Sequence, residues 1–220
     1  KVSPQALIDL DTVGKCRGSF TDQGLKLATF YSLPTGKCVP GYSSKYRDKT
    51  SDCTCGSTKS QYCLLSQSAA REHTRCSNPD IALRKNGTFL GKSVKRIEPG
   101  VENIKKAISF KGPVIAWISF YKSGPSPLWC LTDRSIFGTG FSLPNSNWVA
   151  RPRDDKNYRI EYGGIGHAVV IFGYGRNTDG VEYWICQNSW GESWGYKGTI
   201  KIEMGVNAWG IETDAHVILT

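Results

Sequence analysis

The chain has 220 residues, of which 39% are hydrophobic, and a formal net charge of +9 from 28 Lys and Arg against 19 Asp and Glu. That length can bury one large core or two small ones, and no apolar run approaches the length that spans a bilayer. The basic residues are scattered, without a dense run or an interleaved aromatic stripe. This argues against nucleic-acid binding and leaves a solvated basic surface able to attract an acidic partner or substrate.

In chain order, residues 21–33 predict a helix with Leu25, Ala28 and Leu33 on one face, Asp22 near the positive end of the dipole and Pro34 as the stop. Residues 35–97 are rich in Gly, Pro, Ser and Lys and predict loops. A second helix is expected over 101–110, with Val101, Ile104 and Ile108 on one face and Gly112-Pro113 ending it. From Val114 the pattern turns to strands: a near-continuous apolar run over 114–120, a long polar connection over 122–162, then strands over 168–174, 181–187, 198–204 and 211–219. The Thr178-Asp179-Gly180 turn between two apolar runs predicts a hairpin. The fold class expected is α+β, with a helical and loop-rich part over 1–98 followed by an antiparallel, barrel-like sheet over 99–220.

Eight cysteines point to an oxidising compartment. Cys38, Cys53, Cys55, Cys63 and Cys76 fall in one polar stretch and predict a disulfide-stapled loop, with Cys16 and Cys130 as further disulfide candidates. No metal site is expected, because no Cys-x-x-Cys pair occurs and His73 is the only histidine nearby. Cys186 sits in strand context and is expected to be a buried thiol. Asn86-Gly87-Thr88 is a glycosylation acceptor, consistent with the secretory route. No basic-then-apolar segment and no Met opens the sequence, so any targeting segment is expected to have been removed.

The chemistry concentrates in two short segments. His167 follows glycines 163, 164 and 166, and small residues at Gly166 and Ala168 would let a substrate backbone approach the imidazole. Asn188 follows the strand expected to pair with that of His167, within Gln187-Asn188-Ser189-Trp190-Gly191. The asparagine oxygen can accept the imidazole N–H and fix its tautomer, leaving the other ring nitrogen toward a nucleophile. Trp190 can cover that bond and exclude water, with Gln187 as a supporting neighbour. This is the base half of a thiol-protease site.

These residues carry a resemblance to the papain-like cysteine proteases. Tyr183 through Gly191, with Trp194-Gly195 and Gly198, resembles that family's asparagine motif. Ile165 through Val169, with Gly173-Tyr174-Gly175, resembles its histidine motif. Val2 through Asp9 resembles the segment downstream of the family's nucleophile helix, and Gly14 through Gly18 its cysteine-glycine turn. Within the family the likeness is nearest to cathepsin B-like heavy chains, through Val2-Ser3, the cysteine-rich loop over 38–76 and Gly210-Ile211-Glu212-Thr213-Asp214.

The nucleophile segment and its oxyanion glutamine are absent from this sequence, and the adjacent histidines of the occluding loop are replaced by His73 alone. Thr199 stands where an aromatic is expected and Trp209 where many relatives have cysteine.

The resemblance implies a cysteine endopeptidase whose nucleophile comes from a light chain or an N-terminal segment, with His167 and Asn188 catalytic and no cofactor. It implies peptide or protein substrates, a propeptide or protein inhibitor as further partners, and a lysosomal, vacuolar or secreted location. Cys16 would then lack a partner among the other seven cysteines and be free or bridged to another chain. Asp214 would lie at the base of the pocket for the side chain two residues before the scissile bond, admitting arginine as well as bulky apolar groups. The alternative is a catalytically inactive papain-fold module used in binding or adhesion.

Overall fold

The computed structural model describes residues 7, 20–31, 33–34, 88–89, 91–120, 145–152 and 165–220. Cys16, Cys38, Cys53, Cys55, Cys63, Cys76, Cys130 and Asn86 lie outside the described residues. By its contacts the chain divides into two compact units, residues 1–94 with 218–220, and residues 95–217.

In the first unit, helix α1 (Thr21–Phe30) carries Asp22 in its first turn, and Lys26 Nζ reaches Asp22 Oδ2 at 2.8 Å one turn on. Leu25 and Ala28 are buried. The helix is shorter than its sequence pattern suggests: Tyr31 is already extended (φ −122°, ψ 133°). Leu33 leaves the helical region because the proline after it crowds that conformation. Leu33–Pro34 instead forms strand β1, paired antiparallel with β2 (Thr88–Phe89). Leu33 is still buried, from a strand rather than a helix face, and joins Ala28 in a small cluster with Leu7, Leu27 and Ile218.

The second unit is built on a six-stranded sheet. Its strands are β3 (Ser93–Ile97), β4 (Val114–Phe120), β5 (Ile165–Arg176), β6 (Glu182–Gln187), β7 (Thr199–Glu203) and β8 (Ala215–Leu219), in the spatial order β3-β8-β4-β5-β6-β7. The pairings of β4 with β5 and β8, and of β6 with β5 and β7, are antiparallel. Helix α2 (Val101–Lys111) buries Ile104 completely, while Val101 and Ile108 are half-buried. It ends at Gly112, whose φ of 95° suits glycine.

Alternation at period two supplies the core: Val114, Ala116 and Ile118 of β4, Val169 and Ile171 of β5, Trp184 and Cys186 of β6, and Ile200 and Ile202 of β7 are all buried. Residues 145–152 attach to the outer strand through Ala150, whose N–H donates to Lys201 O and whose carbonyl accepts from Glu203 N–H.

Two strands differ from the sequence pattern by more than one residue at an end. β5 is longer than 168–174 at both ends, since its ladder with β4 runs from Ile165 to Ile171 and its ladder with β6 reaches Arg176. The last strand begins at Ala215 rather than at residue 211. Residues 211–214 form turns because the buried Glu212 carboxylate draws the chain inward. It accepts from Trp184 Nε1 at 3.0 Å, Gly205 N at 2.7 Å and Asn207 N at 3.1 Å.

Candidate active site

The hairpin of β5 and β6 positions the central pair. Its turn is organised by Asn177, whose side-chain oxygen accepts from the N–H groups of Asp179 (3.0 Å) and Val181 (2.8 Å). Gly180 takes a φ of 79° there. From that turn the ladder runs back through Arg176↔Glu182 to Val170↔Gln187, with one irregularity between Ile171 and Gly173. Asn188 therefore leaves β6 just as His167 passes on β5. Gln187 holds this exit, its Nε2 donating to Asn188 O at 2.9 Å and Gly198 O at 2.8 Å. The Asn188 N–H also donates to Gly198 O.

His167 Nε2 and Asn188 Oδ1 are 2.9 Å apart. Ser189 N–H donates to the same Oδ1 at 2.7 Å. A backbone donor requires an acceptor, so the amide is oriented with its oxygen toward both groups, and the ring proton sits on Nε2. Nδ1 then carries the lone pair whenever the ring is neutral. Asn188 is buried and its Nδ2 has no partner among the described residues. Trp190 lies over the imidazole with ring centroids 5.2 Å apart and planes tilted by 37°. It is braced edge-on by the buried Trp194 at 5.6 Å.

Burial lowers the His167 pKa below its usual value of 6.5, and the Asn188 hydrogen bond partly offsets this. The arrangement can hold an imidazole in one tautomer, poised to exchange a proton at Nδ1. The nearby Cys186 is buried and free, and burial pushes its thiol well above the usual range, so it is suited to packing rather than attack. Among the described residues no three His, Cys, Asp or Glu side chains could hold a metal ion.

A second group lies on the next row of the sheet. Ala168, exposed, faces Trp117 across β4 and β5. A Cβ at Gly166 would collide with the Trp117 indole, so the packing of that indole requires glycine at this position. On the other side, Trp117 N–H donates to Asp214 O at 2.9 Å. The Asp214 carboxylate meets Arg96 Nε at 3.2 Å, with the buried His216 Nδ1 at 3.9 Å from the same oxygen. Arg96 and Trp117 carry no local sequence signal. Only the strand order brings them here.

Comparison with known proteins points the same way. Residues 155–219 match the model described as papain family cysteine protease. Cathepsin B-like CP2 of Giardia intestinalis is 46% identical over 61 residues, 27% of this chain and 20% of that protein. Thiol protease aleurain of Arabidopsis thaliana is 55% identical over 51 residues, 23% of this chain and 14% of that protein. Fruit bromelain of Ananas comosus is 46% identical over 99 residues, 41% of this chain and 27% of that protein. The matched stretches thus span about a quarter or less of these relatives' lengths. Among solved structures, proCathepsin B S9 from Trypanosoma congolense aligns with a TM-score of 0.62 at 21% identity, covering 99% of this chain and 59% of that one. In fold, and in sequence over its C-terminal part, the chain is papain-like, with cathepsin B-like cysteine proteases among its relatives.

Proposed function

We propose that this chain supplies the base half of a papain-like cysteine endopeptidase, the thiolate and its oxyanion-stabilising glutamine coming from a segment or light chain outside residues 1–220. The observation that carries this reading is the 2.9 Å contact between His167 Nε2 and Asn188 Oδ1 beneath the Trp190 indole. The thiolate attacks the peptide carbonyl carbon while His167, as imidazolium, gives its Nδ1 proton to the leaving amine. Water, deprotonated by the now neutral ring, then attacks the thioester and releases the acid. Asn188 keeps the ring aligned through both steps, and the tryptophan lid strengthens their bond by excluding water. The cysteine-rich loop and Asn86 fit a lysosomal, vacuolar or secreted protein.

The test uses the whole enzyme with its nucleophile segment present. Replacing Asn188 by Ala is expected to lower kcat on the order of 10²-fold while KM changes little, because orientation of the imidazole matters most in the transition state. Equal kinetics in the variant would remove Asn188 from the mechanism. Peptide binding without hydrolysis in the wild type would favour an inactive binding module instead.

A further inference from the structure

Where β6 ends, one peptide group is held from both sides. The Gln187 side chain donates through Nε2 to Asn188 O at 2.9 Å and to Gly198 O at 2.8 Å. Both partners are carbonyls, so the nitrogen must face them and the amide has one orientation. Gly198, at a φ of 80°, leaves the room this takes, since a Cβ there would stand 2.7 Å from Nε2. The Asn188 carbonyl and the Ser189 N–H belong to the same peptide group, and in a trans peptide they point in opposite directions. Holding the carbonyl therefore aims the N–H, which donates to Asn188 Oδ1 at 2.7 Å. That oxygen is also the partner of His167 Nε2.

Among the described residues, little else fixes the Asn188 amide. It is buried, and its Nδ2 has no partner there. Were the peptide to turn, the Ser189 N–H would leave Oδ1, and the amide could rotate to present Nδ2 to the ring. An amide nitrogen donates to a lone pair, so that arrangement puts the ring proton on Nδ1 instead of Nε2. The imidazole then lacks a lone pair at the atom that must take a proton.

We propose that Gln187 is a positioning residue: by holding the Asn188–Ser189 peptide group, it keeps the Asn188 oxygen toward His167 and the imidazole in the tautomer that can work at Nδ1. Only the kinetic consequence rests on the peptidase reading. The tautomer itself is a property of this chain.

A clasp that merely joined the two ends of the 188–198 loop would behave differently. Opening that loop would lift Trp190 away and expose the imidazole, and the His167 pKa would rise, because burial is what lowers it. Losing the orientation of the Asn188 oxygen moves the pKa down, because that hydrogen bond is what raises it.

Gln187→Met keeps the length of the side chain and removes both donors, whereas Gln187→Lys supplies an ammonium able to donate to both carbonyls. In whole enzyme, nitrogen NMR of His167 reads which ring atom carries the proton and at what pH the ring titrates. The wild type is expected to carry it on Nε2. Gln187→Met should gain an Nδ1–H population and titrate lower. Its kcat should fall about fivefold at nearly unchanged KM, the scale of one ordinary hydrogen bond. Gln187→Lys should return the tautomer and kcat to wild-type values. An unchanged tautomer in Gln187→Met, a titration that moves up, or no recovery in Gln187→Lys overturns the assignment. A tautomer change in Gln187→Met, beside a wild type that hydrolyses no peptide, would sink the peptidase reading and leave the role of Gln187 standing.

Discussion

At the scale of single residues, the titration of His167 follows from its surroundings. Burial disfavours the imidazolium and the Asn188 oxygen favours it, with burial the larger effect. The unfolded histidine takes a proton near its usual 6.5, and the folded one only at lower pH. The stability that goes with a neutral His167 is therefore complete above about pH 6.5 and is lost as pH falls toward the lowered folded value. Urea denaturation at pH 7 and at pH 5 should show the wild type losing more stability on acidification than His167→Gln. Parallel losses would mean that His167 is not held neutral. In Asn188→Ala the NMR titration of His167 should move lower still, because the group that raises its pKa has gone. The sign of that second shift separates a hydrogen-bonded pair from two side chains merely packed together.

At the scale of elements, the connection between β7 and β8 hangs on Glu212. Its carboxylate is buried and receives three N–H donors, while its own N–H donates to Asn207 Oδ1 at 2.9 Å. Truncation strands those donors. Glu212→Ala is expected to cost roughly 3–5 kcal/mol in urea unfolding, and Glu212→Gln less, since one oxygen can still accept. A cost within the range of ordinary surface changes would show that the turn is held by other contacts.

This network also marks where sequence reasoning stops. His167, Asn188 and Trp190 were legible because a hairpin with a recognisable turn links them, and alternation located most strands. Residues 211–214 looked like the start of a strand because Ile211 precedes the apolar run over 215–219 and no local pattern shows that the Glu212 carboxylate folds inward. Leu33 looked helical because its strand pairing is with residue 89, far along the chain. The Arg96–Asp214 pair and the Trp117 indole over Gly166 depend on which strands become neighbours, and no local pattern encodes that. The disulfide candidates and Asn86 fall outside the described residues, so their expected roles rest on spacing and motif.

At the scale of the whole molecule, the proposed division of labour makes Cys186 informative. It is buried with its thiol pushed far up, in contrast with a nucleophile. Iodoacetamide at neutral pH should leave Cys186 unmodified in the native protein and alkylate it promptly after unfolding, as read by peptide mass mapping. Rapid native labelling would make it a candidate nucleophile and displace the proposal that the thiolate comes from outside residues 1–220. The hairpin has a further consequence for how activity is switched on. His167 and Asn188 stand only 21 residues apart in sequence and meet through a local turn, so closing that loop is entropically cheap and hairpins of this kind form within about 1–10 μs. The acid–base machinery can therefore be complete early in folding and remain silent, because an imidazole and an amide alone cleave nothing. Under the proposed function, hydrolysis would then begin only when the thiolate docks, which would tie the onset of proteolysis to assembly and spare the half-folded protein from its own chemistry.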